Sequence, residues 1–169
     1  DSKTSGYILM VPFAFLFFVS PVSGNLSDYF GSRILCTCGL FILTCGVLLF
    51  TTLAPDSSIF EICLRLSLIG IGTSIFISPN SAAIMSSIPQ DLKGTGGAIM
   101  ATSRNLGMVL GIAFAGALFN FVFHNITGSG SLNNYSPEME KAFMTAFKFT
   151  MQATTVMAVS ATVITALRG

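Results

Sequence analysis

Of 169 residues, 52% are hydrophobic and only 9% are charged, against about a quarter charged in ordinary soluble domains, so the expected solvent is a bilayer. A formal net charge of +1 with no cluster of Lys or Arg excludes a nucleic-acid surface, and the mean hydropathy of +0.78 agrees with a membrane chain. A single histidine, no acid/histidine cluster in the apolar runs and no glycine-rich phosphate loop leave no enzyme site, metal site or cofactor site to assemble.

Five stretches have the roughly 17 to 25 apolar residues that a helix needs to cross a hydrocarbon core, so the expected fold is an all-α polytopic membrane protein. They are residues 6–23, 34–53, 59–85, 94–124 and 147–167. The chain opens Asp1-Ser2-Lys3-Thr4-Ser5, without an initiator Met, a basic leader or a cleavage site, and reads as a piece of a longer protein. Pro12 and Pro21 in the first run and Pro79 in the third each remove a backbone donor and favour a bend. All four cysteines, Cys36, Cys38, Cys45 and Cys63, lie inside apolar runs and read as small membrane-buried side chains.

Between the first two runs lies Gly24-Asn25-Leu26-Ser27-Asp28-Tyr29-Phe30-Gly31-Ser32-Arg33. It reads as a tight hairpin turn, in which Gly24 and Gly31 let two helices approach and reverse while Asp28 and Arg33 place opposite charges at the membrane surface. The connections 54–58 and 86–93 are also short, so consecutive helices are expected to be antiparallel neighbours.

In the third run Glu61 and Arg65 stand four apart, on one helix face, and can pair. As charges within a span they are candidates for proton coupling or substrate contact, and snorkelling to the outer interface is the competing reading. Ser78 and Asn80, with Gln152 in the last run, could line a substrate path or bond between helices.

The third and fourth runs, 27 and 31 residues long, exceed one span and must tilt, kink or protrude. Arg104 sits at the interface if its span starts near Leu106, or faces the bundle interior if it starts near Gly97. Gly107, Gly111 and Ala115 recur every four residues, a stripe that lets another helix come close. His124 reads as interfacial. In the long connection 125–146, Ser136-Pro137-Glu138 suits the start of a helix that runs into the last span. Basic residues divide evenly between the two sides: Arg33, Lys93 and Arg168 against Lys3, Lys141 and Lys148.

The turn from Gly24 to Arg33 matches GxLxDxxGxR through Gly24, Leu26, Asp28, Gly31 and Arg33, and so resembles the loop signature of the major facilitator superfamily of secondary transporters. Tyr29 replaces a usual basic residue, and the double basic ending is reduced to Arg33. The entry Ser5-Gly6 with Val11-Pro12, then Ile88-Pro89, Lys93-Gly94, Gly97, Arg104-Asn105-Leu106-Gly107 and Gly111, resemble the C-terminal half of the fourteen-span drug:proton antiporter branch. The resemblance implies that the five spans are most of one six-helix half, lacking its first helix and the N-terminal half.

The same resemblance implies proton-coupled multidrug efflux by alternating access in the cell membrane, with Gly24–Arg33 and 86–93 in the cytoplasm and Asp28 latching the opposite half. The implied partners are the lipid bilayer, the missing N-terminal half, a small-molecule substrate and protons. Arg65 stands five residues before Gly70, whereas the family's arginine motif has four, so that role is not carried over. Ile112 follows Gly111 where the family's antiporter motif has proline. A transporter for one metabolite and a non-transporting membrane scaffold are the alternative readings.

Overall fold

A computed structural model describes residues 2–128 and 139–167. Five long helices follow one another: α1 (Ser2–Phe30), α2 (Ser32–Phe50), α3 (Ile59–Ser86), α4 (Lys93–Thr127) and α5 (Glu140–Leu167), with a short 3₁₀ turn at Gln90–Leu92 before α4. All five are long and apolar enough to cross a membrane, and there is no strand among the described residues.

The segment expected as a polar turn is mostly helix. α1 continues without interruption through Asp28 to Phe30, and the chain reverses at Gly31 alone, whose φ of 83° lies in the left-handed region open to glycine. Ser27 and Asp28 do not break a helix in the absence of a competing turn, so the last turn of α1 simply protrudes and closes with Gly31 N–H donating to the Ser27 carbonyl at 2.9 Å. Helix α5 begins at Glu140, seven residues before the expected span, while Ser136, Pro137, Glu138 and Arg168 lie outside the described residues.

Two consecutive pairs, α2 with α3 and α4 with α5, pack closely, but α1 with α2 and α3 with α4 do not. α3 packs along both α1 and α2, whereas α1 and α2 touch little; α5 lies on α2, and α4 lies mainly on α5 and barely meets α3. The expectation that short loops make every consecutive pair a packed hairpin is corrected on this point: the loops fix direction, and small residues fix the neighbours.

Those small residues are glycines of α2 and α3. A Cβ at Gly39 would lie 2.7 Å from the Phe76 nitrogen, and one at Gly72 would collide with the Leu43 backbone nitrogen and lie 2.7 Å from the Gly39 carbonyl oxygen. Gly46 meets Ile69 in the same seam, and on the other side a Cβ at Gly70 would stand 2.7 Å from the Pro12 Cα. Backbone is thus against backbone, the close approach that helices in lipid use in place of a hydrophobic drive.

The interior is correspondingly polar and small. Ser23, Ser27, Thr44, Ser74, Thr150 and Thr155 are buried, while large apolar side chains such as Phe13, Phe17, Phe41 and Ile112 are exposed. Ser27, Thr44, Ser74 and Thr150 each donate to a carbonyl three or four residues earlier on their own helix, so their hydroxyls are satisfied without water. The Ser23 hydroxyl also reaches the Ser74 carbonyl at 3.2 Å, tying α1 to α3. One aromatic cluster joins α4 to α5: Phe123 packs with Ala142 and Ala146, and the Phe119 and Phe143 rings meet edge to face at 5.2 Å.

Gly72→Ala in the full-length protein is expected to lower stability by about 1 to 3 kcal/mol, since the new methyl group has backbone to displace. Gly116→Ala, off the Gly107–Gly111 stripe and with nothing within 4 Å of the added methyl among the described residues, should not lower the detergent unfolding midpoint.

Candidate functional site

The signature residues gather where α1 ends and α2 begins. Gly24 takes no part in the reversal; it faces α3, and a Cβ there would come within 3.0 Å of the Ser78 Oγ. Leu26 is exposed, as is Asp28 in the last turn of α1. The Asp28 carboxylate makes no hydrogen bond or ion pair among the described residues.

Arg33 does not turn back to Asp28. Its Nη2 donates to the backbone carbonyl of Ala166, in the last turn of α5. A helix C-terminus leaves carbonyls unsatisfied at the negative end of the dipole, and a guanidinium is a suitable cap for them. The Thr44 and Thr162 hydroxyls share a hydrogen bond of 3.2 Å farther along the same seam. The two motif charges therefore have separate surroundings, with Arg33 holding the end of α5 at the surface of the bundle and the Asp28 carboxylate open.

Beside this end, an open cavity of about 960 Å³ lies between α3 and α4, with α2 behind it. Its floor is the turn after α3, where Ile88 packs onto Gly96 in the first turns of α4. Its walls are mostly apolar, and Asn80 and Arg104 are among its polar members. Arg104 Nη2 donates to the Ser81 Oγ at 3.0 Å, which is the one hydrogen bond between α3 and α4 among the described residues. A smaller cleft of about 190 Å³ on the other side of Asn80 includes Arg33 and Thr165. Asn80 lines both spaces, and its amide has no hydrogen-bond partner among the described residues.

The other expected site residues are elsewhere. Ser78 points to α1, and Gln152 is exposed on α5 and lines neither cavity. Glu61 and Arg65 pair at 3.7 Å near the start of α3, with Glu61 52% and Arg65 13% exposed. The Ser58 side chain caps this helix by accepting from the Glu61 N–H, so the acid stands in the first turn, where a helix dipole favours it. Arg65 Nη1 is buried without an acceptor among the described residues.

Gly107 and Gly111 face open space, and Ala115 is half-buried, so no helix lies on this stripe among the described residues. The seam glycines Gly39, Gly46, Gly70 and Gly72 were not singled out from sequence. Their signals were present: Gly39 and Gly46 stand two turns apart on one face, and Gly70-Ile71-Gly72 interrupts an apolar run.

The model of the Major Facilitator Superfamily matches residues 1–128. The chain belongs to that superfamily. It is 31% identical to the riboflavin transporter RibZ of Clostridioides difficile (strain 630), in a match covering 68% of this chain and 25% of the relative. The multidrug resistance protein Stp of Mycobacterium tuberculosis (strain ATCC 25618 / H37Rv) is 29% identical over 66% of this chain and 21% of its own length. The MFS-type transporter YhcA of Bacillus subtilis (strain 168) is 27% identical over 84% of this chain and 27% of its own. The chain thus spans about a quarter of the length of the curated relatives it matches. No solved structure gives a significant match. Superfamily membership and the five apolar helices make this a multi-pass membrane protein, and its relatives are transporters rather than enzymes.

Replacing Arg33 by Ala removes the cap on α5, a contribution of about 1 kcal/mol for an exposed charge-assisted bond. Amide exchange in the last turn of α5 is expected to accelerate about fivefold in the full-length protein, by the same free energy. Exchange in α1 should be unchanged.

Proposed function

We propose that the chain is most of the C-terminal six-helix half of a proton-coupled transporter of the fourteen-span drug:proton antiporter branch. It acts in the cell membrane, with its missing N-terminal half as its main protein partner. This half rocks against the other about a substrate site, exposing the cargo to one side and then the other.

The observation that carries this reading is the state of the two signature charges. Arg33 is held by the end of α5, and Asp28 projects from the last turn of α1 with its carboxylate uncommitted. A free carboxylate on a rigid helix end can dock on the positive N-terminus of a helix in the opposite half and leave it again. The Gly24–Arg33 end and the 86–93 turn face the cytoplasm on this reading. Gly107 and Gly111, with nothing within 4 Å of an added Cβ among the described residues, and Ala115 on the same stripe present a smooth face to the missing helices. The bilayer covers the remaining apolar surface.

A second reading, a transporter of one metabolite rather than many drugs, is favoured by the similarity to the riboflavin transporter. Both share the mechanism and differ in cargo.

Full-length protein in proteoliposomes with an imposed proton gradient tests the proposal. Gradient-driven dye flux is expected, and Asp28→Asn should reduce it about tenfold, a typical coupling free energy, while insertion remains intact. Unchanged flux in that variant would remove the latch, and absence of flux for drugs and single metabolites alike would point to a membrane scaffold. Glu61, half-exposed in the first turn of α3, has an end-of-helix role on this proposal, so Glu61→Gln should leave the pH profile of flux where it was.

A further inference from the structure

The cavity between α3 and α4 has a one-sided charge pattern. Its 960 Å³ falls within the span of small-molecule sites, about 300 to 1,000 Å³, and its walls include Phe76, Ile77, Ile99 and Met100. Arg104 is the one charged residue lining it among the described residues, and no carboxylate among them accompanies it. A guanidinium has five N–H donors, and the Ser81 hydroxyl takes a single bond from this one. Asn80, on the facing helix, brings an amide that has no partner among the described residues.

A cation entering this space would meet Arg104 across apolar walls with nothing to offset the repulsion. A carboxylate, sulfonate or imide-like end would instead take two parallel bonds from the guanidinium fork while its apolar body covers the Phe and Ile side chains. We infer that this cavity selects a small molecule with an apolar body and an anionic or multiply hydrogen-bond-accepting end, held at that end by Arg104 and Asn80. The inference rests on the transporter reading and narrows its cargo class: the half described here disfavours lipophilic cations. An uncharged lipid tail or a covering apolar helix would leave the donors of Arg104 and the amide of Asn80 unused, so neither complements the cavity.

The test uses the full-length protein, with its native cysteines replaced by Ala, in phosphatidylcholine nanodiscs. Met100→Cys is the reporter in the cavity, and Val163→Cys, exposed on α5, is the control for dye dissolved in lipid. The probes are 1-anilinonaphthalene-8-sulfonate as the anion and ethidium as the cation. The anion should slow maleimide alkylation of the reporter about fivefold and the cation should not, the ratio expected for one charge-assisted contact. Arg104→Gln should abolish protection and Arg104→Lys keep part of it. Asn80→Ala, which leaves the Arg104–Ser81 bond in place, should lower it about threefold, the size of one neutral hydrogen bond.

Equal protection by ethidium, or protection that survives Arg104→Gln, overturns the inference. Protection by phosphatidylglycerol without any dye makes the occupant a lipid, and a reporter that resists alkylation with no ligand present shows a protein segment filling the space; either overturns it too. Because alkylation is read without flux, a protein that protects as expected yet moves no dye along a gradient contradicts the transporter reading alone. Flux of dye with no anion-selective protection contradicts this inference alone.

Discussion

The contact of α3's backbone with two other backbones organises the bundle. Lipid offers no hydrophobic reward for bringing apolar helices together, so association depends on how closely the chains approach and which polar groups meet. At Gly39 and Gly72 the approach is limited by main-chain atoms alone, and Pro12 against Gly70 repeats this on the opposite flank. α1 and α2 are thereby held on α3 rather than on each other. α5 then depends on α2, through Arg33 and the Thr44–Thr162 pair, and α4 depends on α5, through the Phe119, Phe123 and Phe143 cluster. Away from the turn that joins them, the separation of α3 and α4 is therefore set at the end of a relay of three seams. The cavity between them is bridged by Arg104 and Ser81.

This order of dependence explains the unequal character of the helices. α2 and α3 have buried stretches, whereas every residue from Ala101 to Phe114 of α4 is exposed. An apolar helix with glycines on one face, attached by an aromatic cluster, the Arg104–Ser81 bond and the turn before it, leaves surface that bilayer or protein must cover. Inward-facing serines and threonines return their hydroxyls to their own backbones, so they occupy little volume and demand no outside partner.

Five apolar runs were legible in the sequence because membrane thickness imposes a length on hydrophobicity that few soluble elements share. Neighbours were not legible. The small-residue stripe of Gly107, Gly111 and Ala115 is the same kind of signal as Gly39 with Gly46, yet only the second pair has a helix opposite it, and that choice is made by residues far along the chain. Arg33 shows the same limit: a carbonyl 133 positions away holds it, and no local pattern names that partner. The turn was misread because polarity at a membrane surface suits a protruding helix end as well as a loop, and only the positive φ of Gly31 separates them. Ser78 and Asn80, two residues apart, lie about 200° apart around a helix, in keeping with Ser78 toward α1 and Asn80 toward the cavity. Asn80 and Arg104 were both noted as polar groups within spans, but their common cavity depends on the spacing of α3 and α4.

The one-residue link at Gly31 has a mechanical meaning. A loop of several residues would act as a compliant tether, letting Asp28 shift while the helices beside it stayed still. Here the carboxylate sits three residues before the joint, on a helix that is itself seated against α3. Moving Asp28 therefore moves the end of α1 itself, and Pro21, seven residues earlier and without an N–H to donate, is where that helix can give before the Gly70–Pro12 contact is strained.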